Sequence, residues 1–189
     1  MKITDFHSLI LKRSSVRKYQ DKPVPRESIL KCLEAARLAP SACNVQPWRF
    51  IVVDDPDLKK KVSDAAYQGV GNFNKFIYEA PVIIVVMAER DLITNRMAAT
   101  LKGIPYYLLD VGAACQQILL QAEELGIGTC WVGWFKEKPL KNLFGLSASK
   151  KIVSLITMGY PDAEVIKTRE KRRKNLDQMV SFNQGEGLV

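Results

Sequence analysis

Residues 81–87 read P-V-I-I-V-V-M, an unbroken apolar run rich in β-branched side chains. A strand with one face in water alternates apolar and polar residues, so a continuous run of this length marks a strand covered on both faces. Such a strand needs a helical layer above and another below it, which restricts the chain to an architecture with a sheet at its centre. Two further strands follow from the same signs, at residues 49–54 and 152–160, with a shorter one at residues 129–133.

Helical spacing supplies the covering layers. A first helix begins at Thr4 or Asp5, turns Phe6, Leu9 and Ile10 inward and ends at the Ser14-Ser15 pair. Pro25 opens a second helix at a first-turn position, Ile29, Leu30, Leu33 and Ala36 give it an apolar stripe, and Pro40 closes it. Residues 56–66 and 139–144 read as shorter helices. The longest apolar periodicity spans residues 106–125, where Leu109, Ala113, Ala114, Ile118, Leu119 and Ala122 recur at helical spacing, with Gly112 allowing close contact. Gly126-Ile127-Gly128 ends this core helix. Residues 68–74 form a Gly-rich connector, and residues 89–105 a short lid or surface excursion. With no internal repeat and no linker, residues 1–189 form one domain of helices packed on a sheet. Beyond Pro161 the chain is charged, but Leu176, Met179, Val180 and Phe182 make its last part too apolar for a free tail, and it is expected to dock.

The apolar content of 47% is that of a soluble globular protein. No apolar run approaches the roughly 20 residues that span a bilayer, and residues 1–5 open no signal-peptide core, which points to a cytoplasmic protein with no membrane partner. Cys32, Cys43, Cys115 and Cys130 are widely separated and His7 is the sole histidine, so neither a zinc site nor a disulfide framework has the spacing it needs. His7 reads as an ordinary surface or packed histidine, Cys43 as a small packing residue and Cys130 as a buried thiol.

A net charge of +8 calls for an anionic partner: nucleic acid, an acidic membrane or a small phosphate-bearing molecule. The charge is concentrated at residues 12–18 (K-R-S-S-V-R-K) and residues 167–174 (K-T-R-E-K-R-R-K), which flank the fold. Binding of single-stranded nucleic acid interleaves aromatic side chains with such charges, and beyond Tyr19 neither cluster has them. Residues 39–50, A-P-S-A-C-N-V-Q-P-W-R-F, form a polar, Pro-punctuated loop between a helix and a strand, where a rigid scaffold presents a site.

Five motifs in order carry a resemblance: R-S-S-V-R-K-Y at residues 13–19, P-S-A-C-N-V-Q-P-W at 40–48, A-P-V-I-I-V-V at 80–86, L-G-I-G-T-C-W-V-G at 125–133, and M-G-Y-P at 158–161 followed by basic residues. Together they resemble the FMN-dependent nitroreductase family over essentially the whole chain. The resemblance implies an α+β fold with a mainly antiparallel central sheet sandwiched by helices, and an intertwined homodimer holding FMN at the subunit interface. It places Arg13, Ser14, Ser15 and Arg17 on the FMN phosphate and the pyrimidine edge of the flavin, where fixed cations stabilise the reduced ring. Pro40, Ser41 and Asn44 become contacts to FMN bound mainly by the other subunit, with Gln46 a further candidate. The backbone of Trp131, Val132, Gly133 and Trp134 lies against the ring and reaches N5. Lys171 and Arg173 complete the phosphate site, with Arg169 and Arg172 as alternatives, and Asn74 meets the pyrimidine side in competition with Asn72.

The implied activity is hydride transfer from NADH or NADPH to flavin N5 and onward to a nitroaromatic, a quinone or a similar electron-poor acceptor by a ping-pong exchange. Because FMN carries that chemistry, no catalytic side chain is assigned. No G-x-G-x-x-G is present, which suits a nicotinamide that visits an open flavin face. Reduced-flavin cleavage, reductive dehalogenation and non-catalytic flavin binding are the alternatives. Trp48 and Trp131 read as core or interface fillers, Trp134 is unassigned, and Tyr106 and Tyr107 either border the pocket or pack beneath it.

Overall fold

The computed structural model describes residues 5–67, 75–89, 104–162 and 171–183. Its sheet has the strand order β1-β2-β4-β3, in which β1 is Trp48–Val53, β2 is Val82–Glu89, β3 is Gly128–Val132 and β4 is Lys150–Gly159. Every neighbouring pair is antiparallel. The helices among the described residues are α1 (Phe6–Lys12), α2 (Arg26–Arg37), α3 (Pro56–Tyr67), α4 (Phe76–Glu79), α5 (Tyr106–Glu124) and α6 (Glu137–Leu143).

β2 is the apolar run that fixes this arrangement. Alternate side chains of a strand face opposite ways. Val82, Ile84, Val86 and Ala88 accordingly pack with Ile29, Cys32 and Ala36 of α2 and with Val111, Ala114, Ile118 and Ala122 of α5. Ile83, Val85 and Met87 pack on the other side with Val62 of α3, Ile77 of α4 and Leu140 of α6. The result is the expected α+β sandwich with an antiparallel sheet.

Several local expectations are corrected. No residue of α1 is buried, and Phe6 is 64% exposed, so the helix turns its apolar side away from its own core. The buried stripe of α5 runs through Asp110, Val111, Ala114, Cys115, Ile118, Leu119 and Ala122; Leu109 falls outside it and is exposed, as is Leu30 on α2. Pro25 is the N-cap of α2 rather than its first helical residue. α6 starts two residues before Pro139, which still lies in the first turn, where a missing N–H breaks no bond. The single turn α4 had no sequence signal. Residues 176–178 form one 3-10 turn, and Leu176, Met179, Val180 and Phe182 are exposed rather than docked on the described part of their own chain. The connector at 68–74 and most of the proposed lid, residues 90–103, lie outside the described residues.

Ile84 stands at the centre of this packing and is fully buried. Truncation there leaves a cavity between β2 and the helices, so Ile84→Ala lowers the unfolding free energy in urea by about 2–5 kcal/mol. A loss below about 1 kcal/mol would show that the sheet is not packed on this face as described.

Candidate active site

The chain after α1 runs as an extended ribbon along the outer edge of β3. Ser15 bridges Thr129 in parallel, and the Val16 N–H donates to the Thr129 carbonyl at 2.9 Å. The Gln20 N–H then reaches the Tyr160 carbonyl at 2.9 Å and the Asp162 N–H the Lys18 carbonyl at 3.1 Å. Val16 and Tyr19 point into the core, and the Tyr19 hydroxyl donates to the Val16 carbonyl at 2.7 Å and lies 2.7 Å from Thr157 Oγ1. Two glycines make room for the ribbon. A Cβ on Gly128 would lie 2.6 Å from Val16 Cγ2, and one on Gly159 would lie 2.5 Å from Pro81 Cδ and 2.9 Å from Tyr19 Cδ1.

This seating gathers the first basic cluster. The Arg17 guanidinium lies 5.8 Å from the centre of the Phe76 ring. Beneath it is the Cys130 thiol, whose pKa is raised by burial against the pull of Arg17, Ser15 and Arg13. Lys171 joins from the far end of the chain, its ammonium donating to the Ile10 carbonyl in the last turn of α1. Its pKa is lowered by burial first and then by the nearby charges of Arg13 and Arg173, with Glu123 acting against them. Glu123 is itself raised by burial, opposed by Arg13, Lys12 and Lys171. Arg13 and Lys171, both partly buried, thus lie close enough to Arg173 for their charges to act on one another, and Arg173, like Arg172, is exposed. Ser14, Ser15 and Arg17 remain open to solvent beside them. A cationic cluster that repels itself, with a single carboxylate among its named neighbours and two hydroxyls alongside, has the donor set of a phosphate site.

The Pro-punctuated loop is strained. Ser41 is extended, Ala42–Asn44 make a 3-10 turn, and Cys43, Asn44 and Gln46 have φ of 51°, 54° and 50°. A non-glycine residue in the left-handed region costs on the order of 1 kcal/mol or more, so other contacts must hold the turn. The Gln46 N–H donates to Ser41 Oγ at 3.0 Å, and Gln46 Nε2 to the Asn44 carbonyl and Oδ1 at 3.2 and 3.1 Å. Arg49 donates to the Gln46 carbonyl at 3.0 Å and pairs with Glu89 at 2.6 Å. The Ala42 N–H donates to Asp110 Oδ1 at 3.0 Å, which ties the loop to α5. Pro40, Cys43 and Asn44 are exposed, so Cys43 is not the packing residue the sequence implied.

Loop and basic cluster do not meet within one chain. The loop is fastened at Asp110 and the cluster surrounds Glu123, so thirteen residues of α5, about 20 Å of helix, separate them. They also border opposite edge strands, β1 and β3.

Comparison with known proteins bears on this arrangement. The sequence profile of the nitroreductase family matches residues 10–72 and 69–160. The chain belongs to the nitroreductase family. A protein of Archaeoglobus fulgidus with the provisional name NADH dehydrogenase/NAD(P)H nitroreductase is 38% identical over 162 residues, covering 82% of this chain and 85% of that protein. Human iodotyrosine deiodinase 1 is 28% identical over 199 residues, covering 93% of this chain and 68% of its own length. The crystal structure of a nitroreductase family protein from Clostridium difficile 630 superposes with a TM-score of 0.81 at 32% identity, covering 96% of this chain and 99% of that one. An FMN-dependent nitroreductase from Clostridium difficile R20291 gives a TM-score of 0.74 at 30% identity, covering 95% and 99%. Membership makes the protein an oxidoreductase by kinship.

The remaining residues that this nitroreductase family member was expected to use divide as follows. Trp131 and Val132 end β3; Val132 is buried, whereas Trp131 is 38% exposed, so of the core or interface role expected of it only the interface remains. Gly133 and Trp134 follow, exposed, with Trp134 at 75%. Asn72, Asn74 and Arg169 lie outside the described residues. Sequence reasoning missed Asp110, Glu123 and Phe76; only Asp110 left a trace, as a carboxylate on an otherwise apolar stripe. Among the described residues no cluster of His, Cys, Asp or Glu could hold a metal, and no helix is long and apolar enough to cross a membrane.

Two measurements check this geometry. Burial pushes the Cys32 and Cys115 thiols up to about 12 and raises Cys130, so at pH 8 a disulfide reagent titrates Cys43 alone in the native protein and all four thiols in denaturant. A second fast thiol in the native state would contradict the buried placement. Gly159→Ala forces the ribbon off β4 and lowers stability by about 1–3 kcal/mol in a denaturant titration; a neutral effect would mean that the close approach to Tyr19 and Pro81 is absent.

Proposed function

We propose that the protein is an FMN-dependent oxidoreductase that takes hydride from NADH or NADPH and passes it to nitroaromatics, quinones or similar electron-poor acceptors by a ping-pong exchange. The observation that carries this reading is the convergence of Arg13 with Lys171 and Arg173, one end of the chain with the other, beside Glu123. In this reading Arg13, Lys171 and Arg173 bind the phosphate and Ser14 and Ser15 donate hydroxyl hydrogen bonds to it. Arg17, steered by the Phe76 ring, reaches the pyrimidine edge. Pro40, Ser41 and Asn44 close over the cofactor from the partner subunit, Trp131, Val132, Gly133 and Trp134 line the ring through their backbone, and Asn74 meets its pyrimidine side. FMN, when bound, supplies hydride acceptance and donation, so the protein's side chains need only bind, orient and exclude water.

The same geometry supports reading the protein as a homodimer. Two-fold pairing of α5 with its counterpart, running antiparallel, brings the Asp110 end of one protomer beside the Glu123 end of the other and so joins each loop to the partner's basic cluster. The exposed apolar side chains Phe6, Ile10 and Leu11 of α1, with Leu108 and Leu109 of α5, provide surface for such an interface. We read residues 1–189 as one FMN-binding domain, with no nucleic-acid or membrane partner. Four free cysteines and a need for NAD(P)H suit the cytoplasm.

The similarity to iodotyrosine deiodinase 1 favours reductive dehalogenation as the second reading. One series of assays separates the possibilities. Under anaerobic conditions NADH or NADPH bleaches the flavin band, and a panel of nitroaromatics, quinones and iodotyrosine is then tested for restoring it. Restoration by nitroaromatics or quinones supports the first reading and restoration by iodotyrosine alone the second; absence of bleaching by either nucleotide contradicts reductase function. In titrations of apoprotein, Arg13→Ala and Lys171→Ala each weaken FMN binding about tenfold to a hundredfold but change riboflavin binding little, since a hydrogen bond between charged groups is worth about 1.5–3 kcal/mol. Equal losses for FMN and riboflavin would move these residues off the phosphate.

A further inference from the structure

Asp110 is the one charged side chain among the described residues that is more than nine-tenths buried. It stands on the stripe of α5 where its neighbours one and two turns on are Ala114 and Ile118. No cation is paired with it among the described residues. Oδ1 accepts the Ala42 N–H at 3.0 Å, and Oδ2 is buried without a hydrogen-bond partner among the described residues. A carboxylate so placed is unfavourable, and an apolar side chain of similar volume would pack there more easily. What the carboxylate does provide is one contact, to the first N–H of the turn in which Cys43, Asn44 and Gln46 take positive φ.

The clamps on that turn differ in reach. Ser41 Oγ on the Gln46 N–H, and Gln46 Nε2 on Asn44, are bonds within the loop. Arg49 ties its exit to the start of β1. Asp110 alone among these fastens its entry to the helical core. Without it, Ala42 can swing out and the residues after it can relax toward extended backbone.

We propose that Asp110 is a positioning residue for the cofactor: its buried carboxylate holds the strained turn at residues 41–46 in the shape that presents Ser41 and Asn44 to flavin. The inference rests on the FMN reading above. It implies that Asp110 acts at a distance from the flavin, through the backbone of Ala42, and that its burial is a stability sacrifice made for that loop shape.

Asp110→Leu and Asp110→Asn test this. Leucine fills the space without accepting a hydrogen bond; asparagine keeps an oxygen for the Ala42 N–H. Two readouts are taken on full-length protein: FMN affinity of the apoprotein by flavin fluorescence, and the labelling rate of each thiol by a disulfide reagent. Cys43, exposed within the loop, reports its shape, whereas Cys32, Cys115 and Cys130 are buried and report general opening. Loss of a hydrogen bond to a charged acceptor predicts FMN binding at least about tenfold weaker in Asp110→Leu and within about threefold of wild type in Asp110→Asn. Labelling of Cys43 shifts in Asp110→Leu while the other three thiols stay protected, and Asp110→Asn restores the wild-type rate. Wild-type affinity in Asp110→Leu, an equal loss in Asp110→Asn, or exposure of all four thiols would overturn the proposal. Should leucine prevent folding, Asp110→Ser, too short to reach Ala42, takes its place with the same expectations. If wild-type apoprotein itself fails to bind FMN, the flavin reading falls, and the Cys43 rates alone decide whether Asp110 holds the loop.

Discussion

The pairing of residues 15–16 with Thr129 along the edge of β3 is the constraint on which the site depends. It exists because Gly128 and Gly159 leave no side chain in the way, and because Tyr19 is buried and bonded at its hydroxyl to both Val16 and Thr157. Arg13, Arg17 and Lys18 of the first cluster are placed by that ribbon. Arg13 lies at its start, where α1 ends and Lys171 arrives; Arg17 lies further along, against Phe76 and above Cys130. If the ribbon came away from the sheet, the cluster would disperse into solvated charges worth little to any ligand.

The second constraint is the length of α5. Its fifth residue holds the loop and its eighteenth stands in the cationic cluster, so a straight helix keeps the two halves of the proposed site apart in each chain. The separation converts an ordinary question about a pocket into one about assembly. The apolar side chains left exposed on α1, α5 and the turn at residues 176–178 point the same way, since monomers seldom leave so many large apolar groups in water.

The sheet and its covering layers were legible because β2 carries its burial in composition: seven consecutive residues, from Pro81 to Met87, leave no polar face. The basic clusters were legible as charge, and their convergence came from family resemblance rather than spacing, since nothing local links Ile10 to Lys171. Other features were hidden for physical reasons. Leu109 and Phe6 have core composition but lie outside the stripe of their own helices, because an apolar side chain does not declare which surface it will cover. The strained turn had no glycine to announce it: Cys43, Asn44 and Gln46 adopt positive φ under tertiary restraint. Asp110 breaks the apolar pattern of its helix, and a polar residue at a core position is the place where local rules yield to function.

A hybrid of two defective proteins tests most directly whether the site is shared between protomers. One variant lacks the cluster (Arg13→Ala with Lys171→Ala), the other lacks the loop contacts (Ser41→Ala with Asn44→Ala), and each alone binds FMN weakly. After unfolding together and refolding, a mixed dimer of the proposed kind carries one site built entirely from intact halves and another built entirely from altered ones. FMN titration of the mixture then recovers a class of tight sites that neither variant shows by itself. If the refolded mixture binds no more tightly than its components, the halves do not come from different subunits, and the shared site is wrong.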